Sequence, residues 1–214
     1  MRSRDFQDRL LRRARKAGVA VQDEAILPLE AYFDLLARWN AKINLTALPL
    51  TTPTDETFDR LFVEPLAAAR HIRDAPIAWF DLGSGGGSPA IPLKVVRPAT
   101  TLVMVESKAR KAAFLREAIR TLGLADASVL NVRAEAIPRD WTARVDVVTL
   151  RAVRADANLA AVCAQLLRDG GELLWFRATI AAASVSAFSH VGTTELLAGR
   201  AYLARYARVP RGTI

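Results

Sequence analysis

Cysteine, histidine and aromatic residues are scarce in this sequence, and each shortage excludes a class of protein. The single cysteine, Cys163, rules out an internal disulfide and any multi-cysteine metal cluster, and its apolar neighbours predict a small core residue. The two histidines, His71 and His190, have no partner at metal-ligand spacing, so we expect no metal site. Aromatic residues make up 7% of a chain that is 51% hydrophobic, which predicts a large aliphatic core.

Long apolar runs are also missing. Residues 1–5 lack the apolar segment of a secretory signal peptide, and no run approaches the roughly 18 residues that a membrane span requires. We therefore expect a cytoplasmic protein without a membrane partner. A length of 214 residues suits one domain with a small extension.

Basic residues exceed acidic ones, 30 to 22, which gives a formal net charge of +8. They concentrate at the two ends: residues 1–20 hold seven, including Arg12 and Arg13, and residues 199–214 hold four with no acid. A solvated helix face explains such runs, and so does an electrostatic surface for RNA or DNA. Both interpretations stay open at this point.

Hydrophobic periodicity predicts an α/β fold. Apolar residues at helical spacing predict helices over 4–17, 23–40 and 55–72. Beyond residue 76, short apolar runs predict strands at 77–82, 101–105, 128–132, 145–150 and 172–176, with helices near 89–96, 108–122 and 155–168. This alternation is typical of a mainly parallel, Rossmann-like sheet. Residues 195–197 and 201–209, after a short helix, predict a closing antiparallel ribbon. We expect residues 1–75 to be a helical extension packed on a cofactor-binding domain of residues 76–214, in one structural unit.

A glycine-rich loop follows the first predicted strand and is the most informative stretch. It contains, in order, Asp81, Gly83, Gly85, Gly87 and Ser88, followed by Pro89 at the start of a helix. The pattern D-x-G-x-G-x-G lacks the last glycine of a dinucleotide-binding loop and the Lys of a phosphate-binding loop. An acid at the loop start would repel a pyrophosphate but suits the ammonium and sulfonium of S-adenosylmethionine. A purely structural glycine turn is the alternative.

An acidic residue ends the second predicted strand. Glu106 lies about twenty residues beyond the loop, where dinucleotide and S-adenosylmethionine sites both place a ribose-binding carboxylate. After the third strand, Ala134 and Glu135 are candidates to meet the adenine ring, although a surface turn explains them equally well. A nicotinamide dehydrogenase would share Glu106, but it lacks support from the glycine spacing and from any candidate proton donor.

Several segments together resemble one family, the glucose-inhibited division protein B family of bacterial 16S rRNA guanine-N7 methyltransferases. Residues 39–46 are similar to its W-N-x-x-x-N-L-T segment, and residues 81–93 to its D-x-G-[ST]-G-x-G-x-P-G-I-P-L loop. Further similarity lies at 106–115 (D-S-x-x-K-R-x-x-F-L), 133–135 (R-x-E) and 150–153 (S-R-A), so the resemblance runs from about residue 30 to 177. The first segment is the specific one, because methyltransferases in general have no reason to carry it.

The resemblance implies an S-adenosylmethionine-dependent enzyme that acts on 16S rRNA or the small ribosomal subunit. We also expect a monomer without a metal. Guanine N7 carries a lone pair and no proton, so no general base is required. Arg151, at the end of the fourth strand, is the expected catalytic residue and also a cofactor-site candidate. The expected RNA-binding residues are Arg12, Arg13, Lys42 and Arg177.

The sequence departs from the family pattern at several positions. Where the family has R-H-x-x-D-S, residues 60–65 place Leu61 for the His, Glu64 for the Asp and Pro65 for the Ser. Ser88 replaces a bulky apolar residue, and Arg177 stands where a Lys is usual. Two alternatives follow: a methyltransferase for another substrate, and a non-catalytic RNA-binding relative.

Overall fold

The computed structural model describes residues 3–151, 157–180 and 184–210. The helices are α1 Ser3–Lys16, α2 Asp23–Asn40, α3 Asp55–Phe58, α4 Glu64–Ala68, α5 Ala90–Val96, α6 Ala109–Leu122 and α7 Ala157–Leu166. The strands are β1 Ala78–Leu82, β2 Thr101–Val105, β3 Ala127–Leu130, β4 Val145–Arg151, β5 Leu167–Arg177, β6 Phe188–Leu197 and β7 Ala201–Arg208. A π-helical turn, Asp59–Val63, joins α3 to α4, and a 3₁₀ turn, Ala69–His71, follows α4.

The seven strands form one sheet in the order β3-β2-β1-β4-β5-β7-β6. Strands β1 to β5 pair in parallel, and β7 pairs antiparallel with both β5 and β6. The expected α/β sheet with a closing antiparallel ribbon is therefore confirmed. Strand order reverses between β1 and β4, and a sheet of this kind binds ligands at the carboxyl ends of its strands near such a point.

Both faces of the sheet are buried, which explains why its inner strands are continuously apolar. Along β1, Trp79 enters a core with helices α1 to α6, while Phe80 enters a second core with α7. The N-terminal helices thus share the first core with α5 and α6. Cys163 lies in the second core, where burial raises the pKa of its thiol to about 12.

The helix predicted over 55–72 is divided into four helical segments. It begins as expected, because the Thr54 side chain caps α3 in a reciprocal bond with Thr57. Pro65 then interrupts the helix, since proline has no N–H to donate to a preceding carbonyl. The π-helical turn lies immediately before α4, and Pro65 occupies the first turn of that helix.

Several predicted boundaries are wrong, and the largest shift is at β6, which begins at Phe188 rather than at 195. Strand β3 ends at Leu130 rather than at 132, and α7 ends at Leu166 rather than at 168. Strand β5 follows directly at Leu167, five residues earlier than expected. Gly170, with φ +71, lets the early part of β5 turn within the strand. The short helix expected before the ribbon is not seen in described residues 184–194, because Phe188 already starts β6.

Among the helices of the described ranges, none combines the length and apolar character needed to cross a membrane.

Candidate cofactor and substrate site

The glycine loop turns sharply at the carboxyl end of β1. Gly83, Gly85 and Gly87 all have positive φ, between +52 and +88, which only glycine adopts readily. The amide of Gly83 donates to the Val105 carbonyl at 2.9 Å, which ties the loop to β2. At Gly87 a Cβ would lie 2.4 Å from Cδ1 of Ile91, so a larger residue would have to displace the Ile91 side chain and also adopt a φ of +88.

Asp81 lies beneath this loop in a chain of buried hydrogen bonds. The Thr149 hydroxyl donates to Oδ1 of Asp81 at 2.5 Å and accepts from Nε1 of Trp79 at 2.9 Å. Burial raises the pKa of Asp81, and the bond from Thr149 works against that shift. A buried carboxylate of this kind suits a cationic ligand group close to the loop.

Glu106 joins the glycine loop to the start of α6. Its two carboxylate oxygens accept from the amides of Gly85, at 3.0 Å, and Lys108, at 2.7 Å. The side-chain Nδ2 of Asn131 donates to the main-chain carbonyl of Glu106 at 2.8 Å, which fixes the main chain at Glu106. Because a carboxylate has about four lone-pair sites, it can still accept from ligand hydroxyls.

A cavity of about 270 Å³ opens beside Glu106. Apolar and polar side chains share its walls, and the expected Ala134 and Glu135 line it together with Gly83 and Glu106. The full set of lining residues is Leu82, Gly83, Val105, Glu106, Ser107, Val132, Arg133, Ala134, Glu135 and Leu159. Apolar side chains for a flat base, together with the carboxylates of Glu106 and Glu135 for hydroxyl groups, are what a nucleoside site requires.

A larger cavity of about 730 Å³ adjoins the first, and Gly83 and Glu106 line both. Its other walls come from the glycine loop, from residues 45–49 and from the π-helical turn. Three cations, Arg60, Lys111 and Arg151, line it, with Glu56 as a further acid. Ser88 also lines this larger cavity, whereas Asp81 and Gly87 line neither. Asp81 and Gly87 therefore do not form cavity walls. Gly87 shapes the glycine loop, and Asp81 places a buried charge beneath it.

The segment 39–46 has a structural explanation. The Asn40 side chain accepts from the amides of Leu45, at 2.9 Å, and Thr46, at 3.0 Å, and so holds the loop that lines the larger cavity. From α2, the Tyr32 hydroxyl donates to the Gly86 carbonyl at 2.6 Å. The N-terminal helices thus position one wall of the larger cavity and the glycine loop itself.

Arg151 is held rigidly at the end of β4. One nitrogen, Nη1, donates to the Arg60 carbonyl at 2.7 Å and to Oγ of Ser88 at 2.9 Å, and Nη2 pairs with Glu64. The guanidinium also lies 5.0 Å from the centre of the Phe176 ring. Glu64 is buried and the Arg151 side chain is only 10% exposed. Burial raises the pKa of Glu64, while Arg151 opposes that shift.

Two of the departures from the family pattern fit each other here. Pro65 lacks the N–H that the Leu61 carbonyl would accept in an α-helix, or the Arg60 carbonyl in a π-helix. Oγ of Ser88 donates to Leu61 O at 3.1 Å and to Arg60 O at 3.3 Å, and Arg151 also donates to Arg60 O. The interruption of the helix at Pro65 thus leaves the Arg60 carbonyl free to accept from Arg151. It also leaves the Leu61 carbonyl free to accept from Ser88, which itself accepts from Arg151.

The expected RNA-binding residues lie in different settings. Arg12 and Lys42 are exposed, and Arg177, half-buried at the end of β5, places its guanidinium 4.6 Å from the centre of the Trp175 ring. Arg13 is buried and donates to Asp59 through Nε, at 2.8 Å, and Nη2, at 2.6 Å. The prediction that Arg13 contacts RNA is therefore wrong, because its charge is used inside the protein.

Several residues of the site were not predicted from the sequence. They are Tyr32, Asn40, Arg60, Glu64, Lys111 and Thr149. Asn40 and Lys111 carried a signal through their places in the family-like segments 39–46 and 106–115, and Arg60 and Glu64 lie in the segment that departs from the family pattern. In the described part of the chain, no group of three or more His, Cys, Asp or Glu side chains could hold a metal ion.

Solved structures share this fold. A protein described as a SAM-dependent methyltransferase from Aquifex aeolicus aligns with a TM-score of 0.55 at 10% identity, covering 68% of this chain and 89% of that one. P. horikoshii TYW2, solved in complex with MeSAdo, aligns with a TM-score of 0.52 at 13% identity, covering 68% and 61%. These two likenesses show that the chain has the Rossmann-like α/β fold of these proteins, with the glycine loop at the carboxyl end of β1.

Sequence similarity identifies the family. A family model described as GidB, rRNA small subunit methyltransferase G, matches residues 26–197. The Ribosomal RNA small subunit methyltransferase G of Roseiflexus sp. (strain RS-1) is 41% identical over 78% of this chain and 71% of its own. The protein of the same name from Stenotrophomonas maltophilia (strain K279a) is 40% identical over 80% and 74%. The chain belongs to the rRNA small subunit methyltransferase G family and is an S-adenosylmethionine-dependent methyltransferase.

Proposed function

We propose that this enzyme transfers the methyl group of S-adenosylmethionine to N7 of a guanine in 16S rRNA. The observation that carries the proposal is the meeting of two cavities at Gly83 and Glu106. The smaller one suits a nucleoside, and the larger one is lined by three cations, as a nucleotide phosphate requires. Gly83 and Glu106 would therefore hold the methyl donor beside the cavity that would receive the nucleotide.

The smaller cavity fits the adenosine part of S-adenosylmethionine. Glu106 has acceptor sites left for the ribose hydroxyls, and the apolar walls near Ala134 and Glu135 suit the adenine ring. Gly83 and Gly85 lie where the amino-acid end would approach the main chain, and the buried charge of Asp81 favours its ammonium group. When bound, S-adenosylmethionine supplies an electrophilic methyl group on a sulfonium.

Ribosomal RNA is the proposed substrate because the family and its relatives are named for methylation of small-subunit ribosomal RNA. The formal net charge of +8 agrees with a polyanionic partner. We propose that exposed Arg12 and Lys42, with Arg177, hold the RNA backbone around the target. A ribosomal substrate also implies a cytoplasmic location. Because one chain supplies the lining of both cavities, we propose that it acts as a monomer.

Alignment is the main task of the protein in this reaction. Guanine N7 offers its lone pair directly, so the residues around the cavities need only place it in line with the methyl carbon and the sulfur. Such positioning is worth up to about 7–11 kcal/mol. The target base must leave its stack to enter the larger cavity, at a cost of a few kcal/mol.

Arg151 is the proposed catalytic residue. A bidentate contact of an arginine with O6 and N7 of guanine would block the nucleophile. Among the described residues, three of its five N–H groups already donate to Arg60, Ser88 and Glu64. We therefore propose that a remaining N–H contacts O6, a phosphate of the target nucleotide or the cofactor.

Transfer of labelled methyl from S-adenosylmethionine to small ribosomal subunits from a strain lacking this gene tests the proposal. We expect label in the 16S rRNA, and loss of transfer in the Arg151→Ala variant. Label in protein or in a small molecule would indicate another substrate. No transfer by a folded sample that also fails to bind S-adenosylmethionine would indicate a non-catalytic RNA-binding relative.

A further inference from the structure

A groove of about 490 Å³ lies between α2 and α6, apart from the two cavities of the methyl-transfer site. Four apolar residues form its floor and walls: Leu35, Trp39, Ile43 and Ala113. Arg38, Lys42, Arg110 and Glu117 also line it. A groove that combines an accessible tryptophan with several cations is unusual on a surface that only faces solvent. Solvated charged residues alone would not require an aromatic side chain in the groove.

Trp39 is fixed in this groove by the core beneath it. Its ring packs against Phe114 with the centroids 5.8 Å apart and the planes at 64°. The residue is only half-buried, and the rest of the indole lines the groove. A held, accessible indole is a stacking platform for a flat aromatic ligand.

The groove is positively charged. Arg38, Lys42 and Arg110 are exposed, and between described residues none of them forms an ion pair. The acid of the groove, Glu117, pairs instead with Arg120 at 2.6 Å. That bond is the main reason why the pKa of Glu117 is lowered, and the charge of Arg38 contributes to the same shift. Three cations and one acid therefore line the groove, which leaves it with an excess of positive charge.

The groove adjoins the larger cavity of the methyl-transfer site. Arg110 and Lys111 are neighbours in α6, and Arg110 lines the groove while Lys111 lines the cavity. On the other side, Lys42 and Ile43 line the groove, and Leu45 lines the cavity. A single-stranded nucleic acid, which carries one negative charge per nucleotide, could therefore pass from the groove to the larger cavity.

We propose that this groove binds an unpaired nucleotide of the substrate RNA that lies close to the target guanine. Its base stacks on Trp39, and Arg38, Lys42 and Arg110 hold the adjoining phosphates. Aromatic side chains beside a basic groove bind single-stranded RNA in this way, since every base has a face to stack. The inference rests on the proposed function and assigns it a docking site for RNA outside the catalytic cavity.

Binding of a fluorescein-labelled ten-residue oligoadenylate, followed by anisotropy, tests the groove directly. We expect Arg38→Glu, Lys42→Glu and Arg110→Glu each to raise the Kd about fivefold or more, and to reduce the slope of log K against log salt. Arg116→Glu is the matched control: Arg116 is exposed on α6 but lines neither the groove nor the cavities. Equal weakening by Arg116→Glu, or no binding by the unaltered protein, overturns the proposal.

The stacking part has its own readout. Loss of one base–aromatic stack raises the Kd about fivefold or more, which Trp39→Leu should show. Because Trp39→Leu also removes packing against Phe114, Trp39→Phe is the second variant, and it keeps an aromatic ring in place. Oligoadenylate should quench tryptophan emission in the unaltered protein and much less in Trp39→Phe. Equal quenching in both would contradict stacking on Trp39.

Methyl transfer to small subunits separates this inference from the proposed function. If both are correct, the groove variants raise the KM for subunits and leave kcat and the affinity for S-adenosylmethionine unchanged. Alternatively, the variants weaken oligoadenylate binding as expected, while neither they nor the unaltered protein transfer methyl groups to rRNA. In that case the RNA-binding groove is supported and the proposed function is wrong. Normal transfer with an unchanged KM in the groove variants overturns the groove alone.

Discussion

Single buried charges define the chemistry of this site. Asp81 lies under the glycine loop with its carboxylate bonded to Thr149, and burial raises its pKa. In the folded state without ligand, the ionised acid is therefore less favourable than it is in water. A binding site that keeps such a group at the cost of stability offers it to a cationic ligand.

The Asp81→Asn variant tests this conclusion. Because the folded pKa of Asp81 is raised above the unfolded value of about 3.9, its contribution to stability is present below that pH and is lost as pH rises through the folded pKa. Urea unfolding should show the variant more stable than the unaltered protein at pH 7, with a smaller difference at pH 4. Its affinity for S-adenosylmethionine, measured by calorimetry, should fall.

The same change at exposed Asp140 is the control and should alter neither property. A variant at Asp81 that is less stable at pH 7 and binds the cofactor normally would contradict the electrostatic role.

Glu64 is the second buried charge, and it holds Arg151. Glu64→Gln would leave the guanidinium of Arg151 without its counter-charge, which costs at most about 3–5 kcal/mol of the free energy of unfolding. The burial that raises the pKa of Glu64 makes its charge costly, so we expect a net fall smaller than this limit. Glu117→Gln is the matched control, because the Glu117–Arg120 pair lies at the surface and its loss should have little effect. Urea unfolding of the two variants measures the difference; equal stabilities would mean that Glu64 does not compensate Arg151.

At the scale of elements, the glycine loop is the part that the sequence predicted best. An apolar strand, spaced glycines and Pro89 at a helix start predicted a turn at the carboxyl end of β1, and the three positive φ angles agree. The glycines nevertheless have different parts: Gly83 and Gly85 line a cavity, whereas Gly87 faces Ile91 of α5.

Gly87→Ala should therefore disturb the loop through its packing. A methyl group there would meet Cδ1 of Ile91 at 2.4 Å, so we expect the Kd for S-adenosylmethionine to rise about tenfold or more, together with a loss of stability. Gly123→Ala is the control: it too has positive φ, at +60, but open space around the added carbon. It should cost about 1–2 kcal/mol of stability and leave cofactor affinity unchanged. Similar affinities in both variants would contradict a loop set by the Gly87 contact.

Element boundaries were harder to predict where tertiary contacts decide them. The helix expected over 55–72 contained Pro65, but sequence periodicity could not show that Ser88 and Arg151 would satisfy the carbonyls it leaves free. The early start of β5 at Leu167 depends on pairing with Val145, a contact between distant parts of the chain. Local patterns predicted the strands themselves because their burial on both faces makes them continuously apolar.

For the whole molecule, the N-terminal helices are part of the site. Tyr32 bonds to the glycine loop, Asn40 holds a wall of the larger cavity, and Arg13 joins α1 to Asp59. The contacts of Tyr32 and Arg13 have no local signal, because they join residues that are distant in the sequence. The contacts of Asn40 are local and lie within the family-like segment 39–46. We propose that residues 1–75 and 76–214 fold as one structural unit.

The charge distribution belongs to this scale as well. Sequence analysis left the basic ends of the chain open between a solvated face and an RNA surface. The structure removes Arg13 from the candidates and leaves Arg12 and Lys42 exposed. It also adds Arg38 and Arg110 in the groove between α2 and α6. Composition alone could show the excess of charge but not which cations are already paired.

Identification of the methylated nucleoside tests the central claim most directly. Small subunits from a strain lacking the gene would be incubated with enzyme and S-adenosylmethionine, and their 16S rRNA digested and analysed by mass spectrometry. We predict that 7-methylguanosine rises by one residue per 16S rRNA, and that heat-denatured enzyme produces no rise. An increase in a different methylated nucleoside, or no increase in any, would contradict the proposal that the larger cavity presents guanine N7 to the methyl donor.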